Sequence, residues 1–217
     1  MEFWSGYNDM GIHFQADGVG MSKFKDPEKQ YNIGKHYIRR RKNEGLHPNA
    51  VNHVPFGTQF TIHFFVGVGN GKCTMAIPYT GFLSAAKMAP IVKQFGPAIR
   101  KAWPYRPMPA GGWILSQDNH KGQNAKELDS LYRRHRIARD FWPANSGDLR
   151  PIENLWPKMR RRILASDPGP YETPEEFTAR VQKIILATPA ADIWPSMCSM
   201  KNRLSACIAN RGGRVNY

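Results

Sequence analysis

The spacing of apolar residues along the chain changes period several times, and each change marks an element. In QFTIHFFVGV (59–68), Phe60, Ile62, Phe64, Val66 and Val68 fall on every second position, the signature of a β-strand. Gly69-Asn70-Gly71 supplies a turn. KCTMAIP (72–78) then resumes the alternation with Cys73, Met75 and Ile77 on one face, so 59–78 is predicted as a β-hairpin. Upstream, IHFQAD (12–17) is a shorter strand candidate with Ile12, Phe14 and Ala16 on one face. Over 83–102 the period lengthens. Met88, Ile91, Val92, Phe95, Ile99 and Ala102 share one helical face, with Pro90 and Pro97 expected to break or kink it.

The second half alternates between strands and helices. WILSQD (113–118) is a short apolar strand ending in Asp118, 123–135 is helical, and IARDFW (137–142) is a strand candidate. Pro151 opens a helix whose buried stripe is Ile152, Leu155, Met159 and Ile163. Thr173-Pro174-Glu175-Glu176 is a capping box for another helix, and a last amphipathic helix runs from about Ile193 to Ile208. Residues 18–58 have no such periodicity and form an irregular, basic insertion, while 173–217 form a helical extension. The pattern predicts one α/β domain in which strands and helices mix and, in the later part, alternate.

Charge changes the picture next. The 217 residues include 31 Lys and Arg against 17 Asp and Glu, a formal net charge of +14. Such an excess points to a polyanionic partner, nucleic acid before a membrane surface. From Leu131 to Ile163 there are nine Arg or Lys and three Asp or Glu. Arg39, Arg40 and Arg41, together with Arg150, Lys158 and Arg161, are the candidate phosphate contacts. Cys73, Cys198 and Cys207 form no C-x-x-C pair, so neither a disulfide framework nor a zinc knuckle is expected. The start has no secretory leader pattern, and no apolar run is long enough to span a bilayer, so no membrane partner is expected. The histidines lack zinc-ligand spacing, and Ser116 and Ser146 lack a nucleophile-elbow context.

The carboxylates suggest chemistry. Asp17 and Asp118 each close a strand candidate, where open α/β sheets gather their ligands. Glu153 lies in a first helical turn, about 100° around the axis from core-facing Ile152. Acids converging from these three places need a cation, and oxygen ligands suit Mg²⁺ or Mn²⁺. Two such ions can drive displacement at a phosphodiester.

WILSQDN (113–119) followed by DFWPANSGDLRPIENLW (140–156) resembles the signature of mariner-type DDE transposases. The 34 residues between Asp118 and Glu153 match one branch of that family, and SMKNRLSACIANRGGRVNY resembles its closing segment. YIRRRKNEGLHPNAV (37–51) resembles the segment that follows its first strand. The resemblance implies a ribonuclease-H-like fold with an insertion after the first strand and C-terminal helices. It also implies two Mg²⁺ or Mn²⁺ ions held by Asp17, Asp118 and Glu153, cleavage and transfer of double-stranded DNA, a homodimer, and a nuclear location in a eukaryote.

Two departures stand out. The family's first Asp is usually followed by Glu, here by Gly18, which leaves Asp9 and Asp26 as alternatives to Asp17. After Asn119 the chain reads HKGQ, where the family often has a Pro and, further on, a His. The family's helix-turn-helix modules are expected to lie outside this chain, so a decayed copy that only binds DNA is the alternative reading. A basic RNA-binding protein is a third, and it predicts no meeting of Asp118 with Glu153. Trp142 and Trp156 are the aromatics nearest the proposed site, read as core residues before base contacts.

Overall fold

A computed structural model of the chain describes residues 13–24, 58–140, 142, 146–169 and 171–215. Five strands form one mixed sheet: β1 (His13–Phe24), β2 (Thr58–Gly69), β3 (Lys72–Tyr79), β4 (Trp113–Ser116) and β5 (Ile137–Arg139). Their order is β3-β2-β1-β4-β5. β2 runs antiparallel to both β1 and β3, whereas β4 joins β1, and β5 joins β4, in parallel.

β1 is longer than its pattern suggests. The expected strand ends at Asp17, with the irregular insertion starting at residue 18. The strand instead runs on to Phe24, paired with β2 from Gln15↔Val68 to Phe24↔Thr58. Being central, β1 is covered on both faces. Phe14 and Ala16 join the core on one side, Val19 and Met21 the core on the other. A strand buried on both sides has no reason to alternate apolar with polar.

The predicted β2–β3 hairpin forms, with one correction. Met75 and Ile77 pack on one side of the sheet, but Cys73 packs on the other. Val68 pairs with Cys73 while Gly67 pairs with Met75, so the register slips at a bulge. An extra residue reverses every side chain beyond it.

Helix α1 (Ala85–Ala102) covers the first face without a break despite Pro90 and Pro97. Ser84 caps it, and Met88, Ile91, Val92, Phe95 and Ile99 lie buried against Phe14, Phe65 and Leu115. Burying such side chains, each contributing about 1.5–3 kcal/mol, outweighs the backbone bonds the two prolines forfeit. Residues 123–135 hold only a 3-10 turn and the short helix α2 (Asp129–Arg134). β5 stops at Arg139, short of the predicted Trp142.

The opposite face is covered by α3 (Leu155–Ala165), α4 (Pro174–Leu186) and α5 (Ala190–Cys198). Their Leu155, Met159, Phe177, Val181, Ile185 and Ile193 pack on Phe64, Val66 and Val68. The capping box at Thr173 and Glu176 is formed. The single C-terminal helix expected from the pattern is two: α5, and α6 (Met200–Ala209) beyond a break at Ser199. α6 belongs to a third, smaller cluster with Trp142, Leu149 and Val215. Among the described residues no helix is long and apolar enough to cross a membrane.

Candidate active site

The parallel register of β1 and β4 aligns His13 with Ile114 and Gln15 with Ser116. Two residues further along, the same offset brings Asp17 level with Asp118, just where the chain leaves β4. Gly112, at φ +84°, makes the tight entry to β4; a Cβ there would lie 2.3 Å from the Arg136 carbonyl oxygen. Beyond the strand, buried Gln117 donates to the Gln123 carbonyl at 3.3 Å and exchanges hydrogen bonds with the Tyr132 hydroxyl. Asn119 donates to the carbonyl of Trp142. These bonds fix the loop that presents Asp118.

Glu153 arrives from the other direction. Pro151–Asn154 form a 3-10 turn ahead of α3, so the predicted helix opens one turn tighter than an α-helix. The Ile152 backbone N–H donates to Gln15 Oε1 at 3.1 Å, buried on β1. That bond ties the turn to the strand two residues from Asp17.

The three acids meet around one guanidinium. Arg150 Nη1 lies 2.8 Å from Asp17 Oδ2 and 4.0 Å from Asp118 Oδ1, and its Nη2 lies 2.5 Å from Glu153 Oε1. Asp17 is buried, whereas Asp118 is half exposed, its side chain 51% accessible. Burial pushes the Asp17 carboxyl up to about 6; Arg150 and the Gly18 N–H pull it down, and Glu153 and Asp118 add to the rise. Among the described residues no group of three or more His, Cys, Asp or Glu side chains is spaced to hold a metal ion. The donor set nevertheless suits one. Each of the three carboxylates has an oxygen within 4.0 Å of one guanidinium, whose single charge faces three acids.

Of the expected phosphate contacts, Arg150 sits inside this cluster rather than on an open face. Lys158 is turned to Asp192, whose backbone oxygen it meets at 2.9 Å. Arg161 is exposed on α3. Arg39, Arg40 and Arg41, like Asp9 and Asp26, fall outside the described residues. Trp142 and Trp156 are buried core, 1% and 6% accessible, and offer no stacking surface. His120 lies against Phe82, ring centroids 5.1 Å apart, beside the Asp118 loop.

Sequence reasoning missed the supports. Gln15 is one, signalled only by a polar residue on a core strand. Arg203 of α6 is another: buried, it donates to the Asp148 carbonyl at 2.6 Å, and the Asp148 carboxylate accepts from Val215 N–H at 2.7 Å. The C-terminal segment thus clamps the loop that carries Arg150 and Glu153. A cleft of about 710 Å³ opens next to Asn119, lined among others by Asn124, Arg133 and Arg139.

No family model matches the chain. The Tcb1 transposase of Caenorhabditis briggsae is 35% identical over 108 residues, covering 48% of this chain and 37% of the relative. The Tc1 transposase of Caenorhabditis elegans is 35% identical over 106 residues, covering 49% and 38%. The catalytic domain of the Mos1 mariner transposase superposes with a TM-score of 0.68 at 13% identity, covering 99% of this chain and 89% of that one. Over about half its length this chain is similar to the Tc1-type transposases. Its mixed sheet and flanking helices form the ribonuclease-H-like fold of the Mos1 catalytic domain. The matched stretch spans less than half the length of the Tc1-type relatives.

Proposed function

We propose that this chain is the catalytic domain of a cut-and-paste DNA transposase, with Asp17, Asp118 and Glu153 as its metal-binding carboxylates. The observation that carries this reading is the meeting of three acids, distant in sequence, around Arg150. The Mos1 catalytic domain has been solved with Mn and with Mg, and the Mos1 transposase with a transposon end. Here the same three side chains would hold two Mg²⁺ or Mn²⁺ ions. Bound, those ions supply Lewis-acid stabilisation of charge developing on the phosphodiester oxygens.

The chain's own residues do the rest. Buried Asp17 is a carboxylate set apart from water and able to anchor a cation firmly. Asp118, its side chain 51% accessible, is open to a DNA phosphate arriving from solvent. Gln15 and Gln117 hold their loops against the strain of bringing like charges together. Arg133, exposed along the adjoining cleft, and Arg161 are placed to take phosphates of the DNA backbone without reading its sequence. Water attacks the phosphodiester at the element's end, and the freed 3′-hydroxyl attacks target DNA. A homodimer would bring two ends together, in the nucleus of a eukaryotic host. The decayed-copy alternative is not favoured, since all three acids are present and gathered.

The test is a nicking assay on supercoiled plasmid with Mg²⁺ or Mn²⁺. Metal-dependent nicking lost in both Asp118→Ala and Glu153→Ala is the expected result. DNA binding without cleavage by the unaltered chain would overturn the reading.

A further inference from the structure

Arg150 holds an unusual position for a residue expected to touch DNA. Its two terminal nitrogens are shared out among all three carboxylates of the site, at 2.8, 4.0 and 2.5 Å. Its side chain is only 12% accessible. It is also held from behind: its backbone lies between the 3-10 turn at Gly147–Leu149 and the one at Pro151–Asn154. The first of these is clamped by Arg203 and Val215 through Asp148, and the second by Gln15 through Ile152. The guanidinium is therefore delivered into the acid cluster by a braced stretch of chain. No other cation contacts these three carboxylates among the described residues' ion pairs.

A guanidinium and a divalent ion answer the same need, the neutralisation of crowded carboxylates, and both cannot take the same oxygens at once. We propose that Arg150 is a placeholder cation, which holds Asp17, Asp118 and Glu153 together in the metal-free protein and must release them before a divalent ion can bind. This inference rests on the reading of the three acids as metal ligands. It adds that metal binding is a competition with a residue of the chain, and that the metal-free site is kept assembled rather than splayed by repulsion. The fork of Arg150 reaches Asp17 and Glu153 together, which a single ammonium cannot do with the same geometry.

Two variants test it, Arg150→Gln and Arg150→Lys, each checked for native folding by circular dichroism. Mn²⁺ binding is followed by loss of the free-ion paramagnetic resonance signal, and thermal unfolding is measured in chelator. Arg150→Gln should bind Mn²⁺ roughly tenfold more tightly than the wild type. In chelator it should melt roughly 2–4 °C lower, because the acids lose their counter-charge. Arg150→Lys keeps the charge but not the fork. Simple electrostatic screening would leave its Mn²⁺ affinity at the wild-type value; competition for the carboxylate oxygens makes it tighter. That variant decides the matter even if Arg150→Gln fails to fold. Unchanged Mn²⁺ affinity in the Lys variant overturns the placeholder and leaves the metal site standing. Absence of Mn²⁺ binding in the wild type and both variants removes the metal site, and the placeholder with it.

Discussion

Two groups of opposite charges sit on the same face of β1, and they are built to opposite ends. At Asp17, three carboxylates share one guanidinium and the cluster is open on one side, with Asp118 51% and Glu153 34% accessible. At Lys23, six residues along the strand, the charges among the described residues balance. Lys23 Nζ lies 2.5 Å from Asp167 and 3.1 Å from Glu172, and Arg180 makes a two-pronged pair with Glu172 at 2.5 and 2.8 Å. Lys23, Asp167 and Glu172 are between 1% and 6% accessible. Among the described residues two acids meet two bases, largely shielded from water, where α3 turns into α4. A balanced, dry network has nothing left with which to bind a ligand, and it locks a connection in place. An unbalanced, half-wet one retains negative charge facing solvent. Charge balance and access, rather than the presence of carboxylates, separate the structural cluster from the one proposed to bind metal.

The sharpest way to break that distinction is to remove one partner from each. Lys23→Met removes the buried cation that Asp167 and Glu172 share, and breaking a buried pair on one side costs about 3–5 kcal/mol. Urea unfolding should show that loss, and a near-silent substitution would mean the sealed cluster is not structural. Asp118→Asn should do the reverse. Metal-dependent nicking should fall by roughly 10²–10³-fold, about 3–4 kcal/mol of barrier. The urea midpoint should move little, because the side chain is half in water. Glu172→Gln comes next in size. It keeps its shape and some hydrogen bonds but leaves Arg180 and Lys23 with a single carboxylate, for a loss of about 1–3 kcal/mol.

The sequence made the proposed metal-binding cluster easier to see than the structural one. Asp118 and Glu153 stand in local patterns, a short apolar strand and a proline-opened turn, so their elements were readable. Asp17 was readable too, though for a partly mistaken reason. It was expected at a strand end, and it lies mid-strand, brought level with Asp118 by register. Pattern reading cannot see register, nor a bulge such as the one that turns Cys73 away from Met75. Lys23 and Arg180 were invisible because a basic residue in sequence reads as surface. Only the pairing of β1 with β2 and the packing of α4 make them interior. Arg150 read as a phosphate contact for the same reason: its partners are 133 residues away at Asp17 and three away at Glu153. α1 shows the converse limit, since local rules put breaks at its prolines and the buried stripe overrode them.

The smallest effect is also the one whose sign separates the clusters most cleanly. Burial lifts the Asp17 carboxyl to about 6, well above its ordinary value of 3.8. A group raised in the folded state contributes stability that is complete below the ordinary value and is lost as pH rises through about 6. Glu172 has the opposite sign. Burial would raise it, but hydrogen bonds from Arg180 and Lys23 prevail and hold it below the ordinary range. Its contribution is present above the ordinary value of 4.5 and is lost as pH falls through the lowered one. Asp17→Asn, unable to ionise, should therefore gain about 1–2 kcal/mol over the wild type in chelator at pH 7.5, the relief from burial being partly offset by the weakened Arg150 contact. The gain should shrink to nothing by about pH 4, while nicking is lost throughout. Urea unfolding of the two proteins across that range measures it. A variant less stable than wild type at neutral pH would mean that Arg150 fully compensates the buried carboxylate, and that the open cluster stores no unmet demand for a cation.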